Sequence, residues 1–430
     1  MHTKLVAAAE AVVSPKREKK VSGDFYKVYP YYAGYSQAFA EHFLSSLDLK
    51  AGATILDPWN GSGTTTSSAV KLGFQASGFD INPTMVIVGR ARLLPASEAK
   101  SLLPLAYEIQ ASAARERCQA PLADPLHDWF TSENADEIRS IERTIHRFLV
   151  CPTSDQAKNS LFTGFSSLAS CFYMALFLVV RSAASGRKST NPTWTKLPKS
   201  PDEKINSSNI KSSFIEALIK IADWVQRSGN APSSAKIDWA DSSSYAAAFK
   251  HDLVLTSPPY CTRIDYAASS RMELAVLEPV TSIDQHQLRR SMIGTTTVPK
   301  KVGRPSSAWG PTCNRFIQDV ADHQSVASST YYYKNHVDYF DKLYRSFGCV
   351  SDAIKPGGAA VMVIQDSYYK DLHNDVPKIA IEMMQNCGFK FVYKREFESL
   401  RCFSKLNAKS ATYRDSKGST ESVICFTKDH

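Results

Sequence analysis

Strand-like and helix-like patterns alternate along most of this chain, and the alternation constrains the fold more than any other feature. Short apolar runs predict strands ending near residues 57, 80 and 256, with helical patterns between them. Parallel sheets are built from this alternation of strands and helices. We therefore predict an α/β fold with a Rossmann-like, doubly wound, mainly parallel sheet, and a closing pair of C-terminal strands at its edge.

Composition bounds the class of protein without deciding its function. With 430 residues, 43% of them hydrophobic, the chain can bury a full core and form more than one domain. The net charge of +9 is compatible with a polyanionic partner but does not identify one. The nine cysteines show neither CxxC pairs nor Cys/His spacing, which predicts reduced thiols and no metal site. We expect a cytoplasmic protein.

One long apolar segment resembles a membrane span. Residues 160–180 carry no charge, and a segment of this length could cross a bilayer. The segment is rich in Ser, Thr and Gly, however, and stands alone in an otherwise soluble composition. We therefore predict a buried core helix and no membrane association. The short apolar run near the N-terminus precedes its basic residues, an order that does not fit an export signal.

A glycine-containing loop joins the first predicted strand to a helix. The run LDPWNGSGTT spans residues 56–65, and Gly61 and Gly63 would let the backbone approach a ligand closely. The loop matches neither the dinucleotide motif GxGxxG nor the phosphate-binding motif GK[ST]. A different class of ligand is therefore expected at this loop.

Two acids at predicted strand ends indicate the chemistry of that ligand. Asp57 places a carboxylate beside the loop, which disfavours phosphate and suits a cationic ligand. Asp80 ends the next strand, where an acid can bind ribose hydroxyls. S-adenosylmethionine is a nucleoside with positive charge and no phosphate, and it fits both features.

A proline-rich turn, TSPPY at residues 256–260, ends a later strand. Proline cannot continue a central ladder, and open α/β sheets bind ligands at the carboxyl ends of their strands. Pro258 and Pro259 would fix the turn's carbonyls and the Ser257 hydroxyl as acceptors for an amino group. Tyr260 offers a face on which a base can stack. A strand-to-helix turn without a ligand is the alternative interpretation.

Four motifs, taken in order, resemble those of the amino-group DNA methyltransferases, which methylate N4 of cytosine or N6 of adenine. The motifs are LDPWNGSGTT, GFDINP, ADSS and TSPPY, at residues 56–65, 78–83, 240–243 and 256–260. The run YYAGYSQAFAEHF and the KPGG strand extend the resemblance over the catalytic core. The resemblance implies the class I methyltransferase type of fold, S-adenosylmethionine as cofactor, and flipping of the target base out of the duplex.

The resemblance also assigns roles to individual residues. The residues that match the catalytic turn are Ser257, Pro258, Pro259 and Tyr260. Those expected at the cofactor are Tyr35, Asp57, Pro58, Trp59, Asn60, Gly61, Gly63, Thr64, Asp80, Ile81, Asp241 and Ser242. Asp241 would lie near the adenine amino group, and a solvated turn is the alternative for it.

Two features bear on the target base, and they disagree. Serine at position 257 is more typical of N4-cytosine enzymes, whereas cofactor motifs that precede the turn are commoner among N6-adenine enzymes. We favour N4 of cytosine in double-stranded DNA. The alternatives are N6 of adenine, an amino group of RNA, and a catalytically silent DNA-binding module. A restriction-modification or phage-defence role would imply a restriction nuclease that acts on the same site.

The motifs divide the chain into six predicted regions. These are a flexible basic tail (1–22), the cofactor-binding half of the core (23–83), a mostly helical insertion and candidate target-recognition region (84–235), the catalytic strand and turn (236–266), an irregular insertion with candidate DNA contacts (267–330), and the C-terminal half of the core (331–430).

Overall fold

The computed structural model describes residues 1–16, 25–31, 33–150, 162, 164–187, 195–229, 231, 233–261, 265–399 and 419–429. The strands are β1 (Thr54–Asp57), β2 (Gln75–Asp80), β3 (Ala235–Trp239), β4 (His251–Thr256), β5 (Ile354–Gln365), β6 (Ser367–Tyr369), β7 (Leu372–Asn374), β8 (Phe389–Ser399) and β9 (Ser419–Lys428).

The helices alternate with these strands. They are α1 (His2–Ala11), α2 (Gln37–Ser46), α3 (Thr64–Lys71), α4 (Pro83–Ala91), α5 (Ala99–Arg115), α6 (Ser132–Leu149), α7 (Ser167–Ala183), α8 (Ile210–Ser228), α9 (Arg271–Thr281), α10 (Gln285–Ser291), α11 (Pro311–Asp322), α12 (Tyr333–Ala353) and α13 (Val376–Asn386).

The main sheet has the strand order β3-β2-β1-β4-β5-β9-β8. The first five strands in this order are parallel, and β9 runs antiparallel to both of its neighbours. This order, with one reversed strand next to the edge, is that of the Rossmann-like sheet of class I methyltransferases. The predicted fold class is therefore confirmed, including the closing pair of strands at the sheet edge.

Side-chain alternation along the central strands builds a hydrophobic core on each face of the sheet. Ile55 of β1 pairs in register with Leu253 of β4, and both face the layer formed by α1, α2 and α3. The next pair in register, Leu56 and Val254, faces the layer formed by α11, α12 and α13. The sheet is thus covered by helices on both faces, and its strand ends remain at the edge where a ligand can bind.

Helices α4 to α9 build a further hydrophobic cluster beside the sheet. Within it, α7 is buried almost throughout, because its apolar residues pack against α4, α8 and α9. The uncharged segment 160–180, as far as it is described, is thus a core helix as predicted. Among the described residues, no helix combines the length and the apolar character needed to cross a membrane.

Two regional predictions need correction. Residues 2–11, assigned to a flexible tail, form α1, whose Leu5, Ala8 and Ala9 are buried against the sheet. The Arg395 guanidinium of β8 donates to the carbonyls of Ala9 and Val12, each at 3.0 Å, and so caps the C-terminal end of α1. Residues 17–22 of the predicted tail lie outside the described residues.

The second correction concerns residues 267–330, which were predicted to be irregular and contain α9, α10 and α11. The sequences of α9 and α10 do not show the apolar periodicity of an uninterrupted helix. Helix α9 has Pro279 in its interior, and proline normally marks a helix end. Helix α10 is short and polar, with only Leu288 buried, so that its sequence shows no apolar periodicity.

Candidate active site

The carboxyl ends of β1, β2, β3 and β4 meet at one cleft. The chain order of the strands reverses between β1 and β4, because β2 and β3 follow on one side and β5 on the other. Open α/β sheets bind ligands at such a switch point. Asp57 lies at the end of β1, Asp80 at the end of β2, and Ser257 directly after β4. The predicted cofactor acids and the proline turn therefore share one cleft.

The Asp57 carboxylate is held by donors from two parts of the cleft. Thr256 Oγ1 donates to it at 2.6 Å and the Trp59 backbone N–H at 3.1 Å, and the Thr65 hydroxyl donates to its second oxygen. The hydroxyl of Tyr35 lies 2.5 Å from Thr65 Oγ1. Since Thr256 ends β4, Asp57 links the glycine loop directly to the strand that carries the proline turn.

The Asp80 carboxylate fixes the glycine loop from the neighbouring strand. It accepts the backbone N–H of Gly61 at 2.9 Å and that of Asn82 at 2.8 Å. Gly61 has φ +48°, and an added Cβ would lie 2.9 Å from the ring of Tyr31. Both the backbone conformation and the close approach of the tyrosine therefore require glycine at this position.

Burial raises the pKa values of both cleft acids to about 6. For Asp57, hydrogen bonds from Thr256, Thr65 and Trp59 oppose this rise in pKa. For Asp80, the Asn82 and Gly61 N–H groups oppose it, and the nearby charge of Asp57 adds to it. Two carboxylates with raised pKa values in one cleft would both be stabilised in their charged form by a cationic ligand.

The proline turn is supported by α12 and by the segment that follows the turn in the chain. Tyr339 Oη donates to the Pro259 carbonyl at 2.9 Å, and the Tyr260 backbone N–H donates to Tyr266 Oη at 3.3 Å. The Ser257 hydroxyl and the Pro258 carbonyl, by contrast, have no hydrogen-bond partner among the described residues. These two acceptors remain available to a ligand in the cleft.

One face of α12 contacts three further parts of the cleft. The hydroxyls of Ser346 and Ser242 lie 2.9 Å apart, and the rings of Phe347 and Trp59 pack edge to face with their centroids 6.3 Å apart. Lys342 Nζ donates to the Met292 carbonyl at 3.3 Å. These contacts recur at helical spacing, from residues 339, 342, 346 and 347. Helix α12 therefore supports the proline turn, the part of the cleft at Trp59 and Ser242, and the wall that faces them near Met292.

The wall near Met292 consists of residues 291–293, at the end of α10 and the start of the following loop. Lys342 Nζ also donates to the Arg290 carbonyl at 2.7 Å and forms an ion pair with Asp338 at 2.9 Å. The Arg290 guanidinium itself pairs with Asp338 at 2.6 Å. Burial lowers the pKa of Lys342, while the Asp338 charge opposes this change. The wall is therefore fixed by a partly buried ionic cluster.

The predicted site residues come together at this cleft, with one exception. Those that line it are Tyr35, Asp57, Pro58, Trp59, Asn60, Gly61, Thr64, Asp80, Ile81, Asp241, Ser242, Ser257, Pro258, Pro259 and Tyr260. Gly63 does not line it. Gly63 precedes α3 with φ +80°, and an added Cβ would lie 3.2 Å from Gly89 Cα. The second loop glycine thus allows α3 and α4 to pack closely.

Asp241 forms a local turn at the cleft, and its contact with the cofactor stays a prediction. It lines the cleft, while its Oδ1 accepts bonds from the backbone N–H and the hydroxyl of Ser243, each at 2.8 Å. One carboxylate oxygen therefore closes a local turn of the kind that aspartate favours. The turn and the position beside a ligand are compatible, because the carboxylate has a second oxygen.

Several cleft residues were not predicted. They are Tyr31, Ala33, Gly34, Ser62, Thr65, Asn82, Met85, Tyr266, Ser291, Met292 and Ile293. Ser62, Thr65 and Asn82 lie within the motifs LDPWNGSGTT and GFDINP, so they could have been predicted from those motifs. Ser291 and Met292 gave no such signal, since they lie in a basic run that reads as surface.

The lining of the cleft fits S-adenosylmethionine. Among the described residues that line it are the acids Asp57, Asp80 and Asp241 but neither Lys, Arg nor His. A cationic nucleoside matches this set of acids better than a phosphate ester does. The sheet order and the chemistry of the cleft together support a methyltransferase.

Comparison with known proteins agrees with this class. A curated relative, the Type II methyltransferase M.BsoBI of Geobacillus stearothermophilus, is 23% identical over 284 residues, which cover 60% of this chain and 53% of the relative. The chain therefore spans about half the length of the curated relative that it matches. No protein-family model matches the chain.

Solved structures with similarity to this chain include two methyltransferases. A SAM-dependent methyltransferase from Methanosarcina mazei has a TM-score of 0.29 and 10% identity, with 89% of this chain and 94% of that chain covered. The rRNA methyltransferase AviRa from Streptomyces viridochromogenes has a TM-score of 0.27 and 11% identity, with 92% and 87% covered.

Proposed function

We propose that this chain transfers the methyl group of S-adenosylmethionine to the exocyclic N4 of cytosine in double-stranded DNA. One observation carries the proposal: the Ser257–Tyr260 turn opens on the same cleft as the acids Asp57 and Asp80. A cofactor held by the acids and an amino group held by the turn would meet in this cleft. Similarity to a Type II methyltransferase supports the class of reaction.

The turn's own groups provide a chemical basis for methylation of an amino group. S-adenosylmethionine supplies an electrophilic methyl group on a positively charged sulfur. The nitrogen of an aromatic amine is a poor nucleophile, since its lone pair is delocalised into the ring. The Ser257 hydroxyl and the Pro258 carbonyl would accept hydrogen bonds from that amine and localise its lone pair on nitrogen. Tyr260, which is only partly buried, would stack on the flipped base.

The cofactor side would be bound by the loop and the strand ends. Asp80 would accept hydrogen bonds from the ribose hydroxyls, as acids at this strand position do. The Asp57 carboxylate, with hydrogen bonds to both of its oxygens, would act through its negative charge near the methionine part of the cofactor. Ser242 and Asp241 line the part of the cleft next to β3, where the adenine ring would lie.

Adenine N6 is the second candidate target, and a specific observation favours it. The cofactor residues Asp57 and Asp80 precede the turn in the chain, an order commoner among the N6-adenine enzymes that the motifs resemble. Serine at position 257 favours cytosine. Digestion of DNA methylated with isotopically labelled cofactor, followed by nucleoside chromatography, separates N4-methylcytosine from N6-methyladenine. RNA offered in parallel tests an RNA amino group as the target.

The cellular role that we propose is modification of DNA in a restriction-modification or phage-defence system. A nuclease that cleaves the same DNA sequence would then be the functional partner. Sequencing that maps methylated bases in a host that expresses the chain would give the base and its sequence context. Methylation confined to one short sequence supports this role, and methylation without sequence context contradicts it.

Substitutions test the roles of the turn. Ser257→Ala and Tyr260→Ala should each reduce methyl transfer strongly while S-adenosylmethionine binding, measured by calorimetry, persists. Cys261→Ala is the matched control, because Cys261 adjoins the turn but is 3% exposed and its Sγ lies 3.4 Å from His336 Nδ1. Full activity of both turn variants would overturn the proposed mechanism. Absence of cofactor binding to the unmodified protein would favour a catalytically silent module.

A further inference from the structure

Two basic runs of the sequence have at least part of their charge neutralised within the fold. In the run LRRSMIG, Arg289 pairs with the buried Asp265 at 2.5 Å, and Arg290 pairs with Asp338 at 2.6 Å. In the run SGRKS, Arg187 lies 3.6 Å from a carboxylate oxygen of Glu203. The guanidinium groups of these arginines are paired with carboxylates of the same chain, so they are poorer candidates for contacts with an anionic partner.

The third basic run differs in this respect. Lys300, Lys301 and Arg304 are exposed and form no ion pair with any residue in the described ranges. We refer to residues 296–304, which contain these three cations and no acid, as the cationic loop. An exposed group of unpaired cations attracts polyanions, because no internal carboxylate cancels its field.

The cationic loop is anchored on both sides of its charges. Val302, between the cations, packs against the hydrophobic cluster under α11 and α12. Lys334 Nζ donates to the Lys300 carbonyl at 2.8 Å, and Tyr331 Oη donates to the Thr296 carbonyl at 2.9 Å. The loop thus presents its cations from a backbone that is tied to the start of α12.

The cationic loop begins where the wall of the cleft touches the proline turn. Gly294 has φ +77°, and an added Cβ would lie 2.6 Å from the Tyr260 carbonyl oxygen. Asn335 Nδ2 donates to the Thr295 carbonyl at 2.8 Å, and the Thr296 hydroxyl donates to Asp265 at 2.9 Å. Residues 294–296 therefore connect the turn to the start of the cationic loop, whose cations follow four to eight residues later in the chain.

We infer that the cationic loop binds the phosphate backbone of the nucleic acid substrate next to the flipped nucleotide. This inference rests on the proposed function and assigns to the loop the sequence-independent part of substrate binding. Lysine and arginine that contact phosphates position a duplex and release counterions. Because residues 294–296 join the loop to the turn at Tyr260, phosphate contacts of the loop would hold the DNA against the face of the protein that carries the turn.

The salt dependence of DNA binding tests the inference. Binding of the unmodified protein to duplex DNA is measured by fluorescence anisotropy over a range of salt concentrations, and compared with the Lys300→Ala/Lys301→Ala variant. The slope of log Kobs against log salt should become shallower by about 0.9 for each phosphate contact that is lost. The same loss should occur on DNA of any sequence, whereas S-adenosylmethionine affinity should stay unchanged.

The Lys50→Ala/Lys250→Ala variant is the matched control, because it removes the same charge from the opposite edge of the sheet. Both lysines are exposed and precede the amino ends of β1 and β4. A shallower slope in the loop variant and an unchanged slope in the control support the inference. Equal slopes in all three proteins overturn the inference, and so does an equal decrease of the slope in both variants. In either case, DNA methylation by the unmodified protein would leave the proposed function intact. Absence of both DNA binding and DNA methylation overturns the inference and the proposed function together.

Discussion

The Tyr339 hydroxyl donates a hydrogen bond to the Pro259 carbonyl oxygen at 2.9 Å, across 80 positions of the chain. Tyr339 lies in the first half of α12 and is almost fully buried, and Pro259 is the second proline of the proline turn. Burial raises the pKa of this tyrosine well above its usual range, so the phenol keeps its proton and remains a donor. A helix on one face of the sheet therefore fixes the geometry of the turn at the sheet's edge.

Tyr339→Phe should slow methyl transfer and leave cofactor affinity unchanged, since the cleft acids Asp57 and Asp80 do not contact Tyr339. Pro259 is only partly buried, so water can replace the lost donor, and we expect the free energy of unfolding to fall by about 0.5–1.5 kcal/mol, the net contribution of a typical hydrogen bond. Chemical denaturation and single-turnover kinetics measure the two effects. Tyr333→Phe is the control on the same helix, because Tyr333 is only partly buried. Unchanged turnover in Tyr339→Phe would show that the turn does not depend on this bond.

Gly294→Ala should slow methyl transfer more than Gly388→Ala does, although the two variants should lose a similar free energy of unfolding. The added Cβ would lie 2.6 Å from the Tyr260 carbonyl oxygen and would displace the turn. Gly388→Ala is the control, since Gly388 has φ +87° and an added Cβ there meets nothing within 4 Å. Both variants bear the cost of a positive φ, about 1–2 kcal/mol, and only Gly294→Ala disturbs the turn. Equal activities of the two variants at equal stability would contradict this prediction.

The affinity for S-adenosylmethionine should fall as the pH is lowered through about 6. Burial raises the pKa values of Asp57 and Asp80 to about 6, so both carboxyls are charged above this pH and neutral below it. A cationic cofactor binds the charged forms better, and its binding should release protons near pH 6. Calorimetry from pH 5 to pH 8, in buffers of different ionisation enthalpy, measures both quantities. A dissociation constant that does not change over this range would rule out a role for the two charges.

Asp80→Asn should weaken S-adenosylmethionine binding about tenfold to a hundredfold, since hydrogen bonds to charged groups contribute about 1.5–3 kcal/mol. The N–H groups of Gly61 and Asn82 donate to different oxygens of Asp80, so the amide keeps only one of these bonds. An unchanged circular dichroism spectrum of the variant is therefore required before the loss is assigned to the cofactor contact. The variant should also flatten the pH dependence of binding. Asp223→Asn, on the exposed side of α8, is the control and should bind the cofactor with unchanged affinity.

Arg139→Met should destabilise the fold by about 3–5 kcal/mol, because it leaves buried acids without their partner. Arg139 is 0% exposed and binds Asp124 through two nitrogens, each at 2.9 Å. It also donates to the Ala275 carbonyl at 3.0 Å, a group that Pro279 leaves without an N–H donor in α9. Arg227→Met is the control: it removes an exposed ion pair and should cost less than about 1 kcal/mol. Denaturant unfolding of both variants checks the contrast.

The glycine loop and the two acids could be located from sequence because each depends on a few contiguous residues. A strand end, a glycine with positive φ and the carboxylate beside it are encoded within LDPWNGSGTT and GFDINP. The strand order then brings their ends together, since parallel neighbours end at the same edge of a sheet. The same local reasoning mistook α1 for a tail, because its burial depends on β8 and β9, which lie at the other end of the chain.

The sequence by itself determined the class of fold, the two acids at the strand ends and the proline turn, since local patterns of burial and backbone restriction encode these features. The tertiary structure alone decided which distant groups support them. Tyr339, Lys342 and Gly294 reach the turn and the wall only because α12 and the segment after α10 pack there. It also decided which basic runs are neutralised within the fold and which remain exposed. Such pairings depend on long-range packing, whose partners are separated by many residues and leave no local pattern in the chain.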